Sequence, residues 1–170
     1  MCDAKCTLVI SSAARSGILM PLTSPSSAER AHQELLHLLV KVQHSSGKTG
    51  SIAENLARNL RVHMEREETL AMPLLGLLPD LVSKKPSRAT AMRAYRLYSK
   101  MVKEYPGMLH GHREIIKILD RLKKIAAEEG HLTAIRFAET LEQHSNEEEE
   151  ILYPAALLAG RVASGNKKHD

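Results

Sequence analysis

The chain has 170 residues, of which 43% are apolar and only 3% aromatic. That length fits one domain, and its core must be built from Leu, Ile, Val, Met and Ala, a set that leans toward helix. The net charge of +4 is too modest to imply nucleic acid by itself. Cys2 and Cys6 stand together near the N-terminus, so no disulfide framework crosses the body. No apolar run approaches the ~18 residues of a membrane span, and Arg15 interrupts the N-terminal apolar stretch. The expectation is a cytoplasmic chain without a signal peptide, membrane contact or nucleic-acid partner.

Residues 1–25 lack helical periodicity and contain Gly17, Pro21 and Pro25, which predicts an irregular extension. Ser26 to Glu29 reads as a capping box that starts a helix over about 28–43. The run 44–50 (HSSGKTG) reads as a breaker, and Ser51 to Glu54 as a second capping box. That second helix runs through Glu68 toward Pro73. A long connection follows, marked by Gly76, Pro79 and Pro86. The third helix starts near Ser87 and should kink or break at Pro106-Gly107 before resuming to Glu129. Gly130 reads as its stop, and a last helix is expected over 132–158. No alternating strand pattern occurs. The fold class is therefore all-α, with four principal helices over 26–160 and a polar tail over 161–170.

The halves repeat. AHQELLHLLVKV (31–42) parallels GHREIIKILDRL (111–122), and HMEREETLAMPLL (63–75) parallels HSNEEEEILYPAA (144–156). His32 and His63 are 31 residues apart, His112 and His144 32 apart. Two matched helix pairs suggest a pseudo-twofold bundle rather than a solenoid.

His63 and Glu67, like His144 and Glu148, are four residues apart and stack on one helix face. That face is also apolar: Leu56 and Leu60 precede His63, and Phe137 and Leu141 precede His144. His32 shares a stripe with Leu35, Leu36 and Leu39, and His112 with Ile115, Ile116 and Leu119. Four His and two Glu thus point into one interior, where unpaired carboxylates would cost several kcal/mol or stay protonated. Two cations with bridging carboxylates use all six. The ligand types suit iron, manganese, zinc or copper, although zinc's usual closed or three-ligand sites do not explain the doubling. The ferritin-like pattern fails. Glu29-x-x-His32 and Glu128-x-x-His131 have its spacing, but the second lies across Gly130 and companion Glu positions are missing.

Residues 28–158 resemble the hemerythrin-like, or HHE cation-binding, domain family, through the two H-x-x-x-E-E…P segments and the preceding His32 and His112. The resemblance implies an up-down four-helix bundle holding two oxo- or hydroxo-bridged irons. Glu67 and Glu148 would bridge, with His32, His63, His112 and His144 as terminal ligands. It also implies a small partner (oxygen, peroxide or nitric oxide) and an electron donor, with oxidoreductase activity left open. The family further includes iron-handling, iron-sensing and iron–sulfur repair modules, which form the alternative reading. A metal-free structural bundle is the third. One departure stands out: oxygen carriers place a second His four residues along the third helix, and position 116 here is Ile. A more open, more reactive centre follows. His110 is two residues away on the wrong face, admitted only by the Pro106-Gly107 irregularity.

Three of the four Glu over 147–150 read as a solvated face, with Glu149 the reserve ligand. His37, His44, His131 and His169 read as surface residues, and Cys2 and Cys6 as incidental. Met64, Met72, Met92, Met101 and Met108 read as core fillers. Gln33, Asn59 and Tyr153 are candidates for hydrogen bonds behind the ligands. Arg93, Arg96, Lys100 and Lys103 form a solvated basic face, and Tyr95, Tyr98 and Tyr105 could pack inward.

Overall fold

The computed structural model describes residues 22–165 and is all-helical over them. Its helices are α1 (Ser26–Gln43), α2 (Gly47–Leu70), α3 (Met72–Leu75), α4 (Leu78–Ser83), α5 (Arg88–Glu129), α6 (Leu132–Glu147) and α7 (Tyr153–Ala163). A π-helical segment, Glu148–Leu152, joins α6 to α7 without a break. There are thus four principal runs: α1, α2, α5, and α6 through α7. In the bundle α1 and α5 each pack on both α2 and α6, while α7 and α3 pack beside the first half of α5. Among the described residues no helix is long and apolar enough to cross a membrane.

Several expected boundaries move. Neither predicted capping box forms: α1 starts at Ser26 behind Pro25, and α2 starts at Gly47 inside the expected breaker. The first turn of α2 is capped from elsewhere. The Glu129 carboxylate, at the end of α5, accepts the backbone N–H groups of Lys48 and Thr49 at 2.9 Å and the Thr49 hydroxyl at 2.7 Å. An anion there also complements the helix dipole. Nothing in the sequence near Ser51 announces a cap 80 residues away, so the local signal was the weaker one.

Pro106 does not break α5, which runs continuously for 42 residues. The carbonyl that loses its partner to Pro106 belongs to Val102, 40% exposed, where water can replace the missing donor. Gly130 ends α5 as expected, in the left-handed conformation at φ 77°. The last run continues to Ala163 rather than Leu158. The long connection holds the short helices α3 and α4.

Two apolar cores form. One joins α1, α2, the second half of α5 and α6, through Leu39, Leu56, Leu60, Leu119, Phe137 and Leu141. The other joins the end of α2, α3, the first half of α5 and α7, through Leu70, Leu74, Met101, Met108, Tyr153 and Ala156. The expected fillers Met64, Met72, Met101 and Met108 are buried, but Met92 is 51% exposed. Along α2 the first core ends at Met64 and the second begins at Leu70. The predicted ligands fall in the layer between.

The cap of α2 gives a pH test. Hydrogen bonds from Thr49, then from the backbone at Lys48 and Thr49, lower the Glu129 pKa from 4.5 to about 2. A carboxyl lowered on folding stabilises above its unfolded pKa and loses that contribution as pH falls through the folded one. Glu129→Ala should therefore lower the melting temperature at pH 7. The gap from wild type should shrink below pH 4.5 and close near pH 2, as followed by circular dichroism.

Candidate metal centre

All six predicted residues meet in this layer. Glu67 is 2% exposed and Glu148 3%; His32, His63 and His112 are buried, and the His144 side chain is 15% exposed. The repeat accounts for the inward aim, since His63 with Glu67 and His144 with Glu148 stack one turn apart, each pair 3.0 Å from Nε2 to Oε1.

The two carboxylates are shared between two histidine pairs. Glu67 Oε1 faces His63 Nε2 at 3.0 Å and His112 Nε2 at 3.6 Å, while its Oε2 faces His32 Nε2 at 3.4 Å. Glu148 Oε2 faces His112 Nε2 at 3.3 Å, and its Oε1 faces His144 Nε2 at 3.0 Å and His32 Nε2 at 3.5 Å. So each carboxylate presents one oxygen to the pair His63–His112 and the other to the pair His32–His144. Two donor groups result, His63, Glu67, His112, Glu148 and His32, His144, Glu148, each compact enough to hold a metal ion. Each histidine pair takes one member from either half of the repeat.

The outer ring nitrogens are also held. His32 Nδ1 lies 3.1 Å from Glu68, and His112 Nδ1 lies 2.8 Å from Glu149. A carboxylate there fixes the proton on Nδ1 and turns the Nε2 lone pair inward. Glu149 is thus not a ligand in reserve: it orients His112. Glu147 and Glu150 are exposed, as expected of that face. The role of Glu68 was missed, although both repeats carry the Glu-Glu doublet that supplies it.

The centre fits a cation on its own chemistry. His144 Nε2 is buried and forms no hydrogen bond, despite lying 3.0 Å from Glu148 Oε1. Lone pairs of inward Nε2 atoms face carboxylate oxygens and need positive charge between them. The protonation equilibria express the same need. Burial lowers the His112 pKa, but Glu148 and Glu67 outweigh it and raise it to about 10. Burial likewise opposes a rise at His32, and Glu148 and Glu67 prevail. Burial raises both carboxyls, yet the imidazoles hold Glu67 and Glu148 below their ordinary range. Without a metal, protons would supply the charge.

Tyr153 completes the layer. Its hydroxyl donates to Glu67 and lies 3.2 Å from His112 Nε2 and 3.5 Å from His63 Nε2. Its ring stacks on His112 at 5.4 Å. Burial first, then the charges of Glu67 and Glu148, raise its pKa and keep the phenol protonated. The π-helical segment makes this possible. The Tyr153 N–H bonds the Glu148 carbonyl five residues back, whereas residues five apart on a regular α-helix diverge by about 140°. The other two candidates for hydrogen bonds behind the ligands are elsewhere: Gln33 is exposed, and Asn59 is exposed and bonds Asn55.

His110 is exposed on the regular helix and stays outside the layer; Ile116 packs against the first core. His37 and His44 are exposed, and His131 lies 3.2 Å from the Ser46 carbonyl, near the α2 start. Tyr105 reaches the ring of Tyr153 edge-on at 6.0 Å. Cys2, Cys6 and His169 lie outside the described residues.

Gly111 sets how closely α5 approaches α2, since a Cβ there would stand 2.8 Å from His63 Nδ1. At an open helical position Gly→Ala gains about 1 kcal/mol. Here Gly111→Ala should instead lower the melting temperature, and a rise would show that His63 moves freely. Tyr153→Phe removes the donor to buried Glu67. It should lower the unfolding free energy of chelator-treated protein by about 1–3 kcal/mol in a urea titration.

Comparison of the chain with models of known families, with curated proteins and with solved structures found no match. The conclusion therefore rests on geometry: the buried histidine–carboxylate cluster at the centre of this all-α bundle could hold a metal ion.

Proposed function

We propose that the chain is a non-haem di-iron protein of hemerythrin-like type, with an up-down four-helix arrangement. One observation carries the proposal: two buried carboxylates, each with one oxygen toward either histidine pair. A single ion would leave one pair without a partner, whereas two ions would engage both pairs and the carboxylates Glu67 and Glu148 that the pairs share. Imidazole and carboxylate donors suit iron. When bound, two ferrous ions supply two electrons to oxygen or peroxide, or bind nitric oxide.

The chain's own residues prepare that site. Glu68 and Glu149 fix the rings of His32 and His112. Tyr153 holds the proton given to Glu67 and offers a phenol oxygen beside His63 and His112. The first apolar core limits water on one side.

Protein purified without a chelating tag should carry about two iron ions per chain and show near-ultraviolet oxo-bridge bands. His144→Ala should retain about one ion, and Glu67→Gln with Glu148→Gln should retain none. A spectral change on adding peroxide that then reverses supports turnover, and loss of iron to chelator within minutes supports iron handling. Absence of stoichiometric metal, with unchanged folding in chelator, would sink the proposal.

A further inference from the structure

A cavity of about 600 Å³ opens onto the centre. Its floor is Glu67, His144, Glu148 and Tyr153. Its walls are largely apolar, from Ala28 and Ala31 of α1, Ala71 and Met72 after α2, and Leu75 and Leu78 around α3 and α4. Oxygen or peroxide needs little more room than the ~30 Å³ of a water. A volume of this size, with apolar walls and a few polar groups at one end, matches sites for small organic molecules.

Charge narrows the occupant. Among the described residues no Lys or Arg lines the cavity, and Glu67, Glu147 and Glu148 do. An anion would meet Glu147, which no Lys or Arg among the described lining residues offsets. A cationic head has little to pair with once the floor is neutralised, and Glu147 is already bonded by Gln143 at 2.8 Å. A hydroxyl suits the floor, because carboxylate oxygens accept hydrogen bonds whether or not an ion engages them.

We propose that this cavity binds a neutral, mostly apolar small molecule and holds its hydroxyl group against the Glu148 side of the centre. The role of that molecule as a co-substrate, though not its binding, rests on the metal reading above. The site then serves an organic co-substrate as well as a small oxidant, and the cavity sets which one is admitted.

Calorimetric titration of the full chain with 1-naphthol, and with 1-naphthalenesulfonate as the anionic counterpart, tests this, with metal content measured on the same samples. Naphthol should bind once per chain and the sulfonate at least about tenfold more weakly. Ala28→Phe should weaken naphthol binding at least about tenfold with metal content unchanged. Leu78→Phe, at a position 36% exposed, should do the same should Ala28→Phe fail to fold. Absence of saturable naphthol binding, tighter sulfonate binding, or unaltered binding in folded variants would overturn the proposal. Naphthol binding to a chain without metal would sink the metal reading alone; metal without naphthol binding would sink the cavity proposal alone.

Discussion

Two buried carboxylates, each divided between two pairs of imidazoles, are the constraint on which the rest of the molecule depends. Glu67 and Glu148 lie almost wholly out of water, 2% and 3% exposed, and a carboxylate there is stable only beside positive charge and donors. Every helix of the bundle contributes: α1 His32, α2 His63 and Glu67, α5 His112, and the α6 run His144 and Glu148. Stability of the middle layer is thereby tied to whatever cation occupies it, since anything that binds only the folded chain stabilises it by mass action.

The two halves share a plan down to the residues behind the ligands. In each, the second Glu of a Glu-Glu doublet holds the first His of the same half: Glu68 holds His32, and Glu149 holds His112. The halves part company five residues beyond the buried carboxylate, where one has Tyr153 and the other Met72. The second half passes through a π-helical segment that turns Tyr153 inward, while in the first half helix α2 ends at Leu70 and gives way to α3. Tyr153 OH therefore lies beside the His63–His112 pair, and the cavity reaches His144 of the other pair past Met72. Near-symmetric histidine–carboxylate groups thus carry asymmetric surroundings.

The six inward residues were legible because helical spacing is a local property. Residues four apart share a face whatever surrounds them, so His63 with Glu67, and His144 with Glu148, could be paired before any contact was known. The apolar stripes of Leu56, Leu60, Phe137 and Leu141 marked that face as buried, and Gly130 marked a helix end through its backbone freedom. Capping boxes were less secure. Ser26 and Ser51 have suitable neighbours, yet α2 takes its cap from Glu129, a residue distant in sequence and adjacent in space. Pro106 leaves α5 unbroken for a related reason: its cost depends on whether water can reach the carbonyl it abandons.

By itself the sequence determined the all-α class, the doubled helix pair and the six residues that face inward, because each follows from periodicity within a single helix. Only the tertiary structure decided which histidines pair across the halves, which oxygen of each carboxylate faces which pair, and that Glu149 orients rather than ligates. Those are relations between separate helices, set by crossing geometry and by the close approach at Gly111. The inward turn of Tyr153 belongs with them, since a π-helical segment closed by an i→i+5 hydrogen bond, invisible to a period of 3.6 residues, carries that side chain from the flank of the helix into the centre.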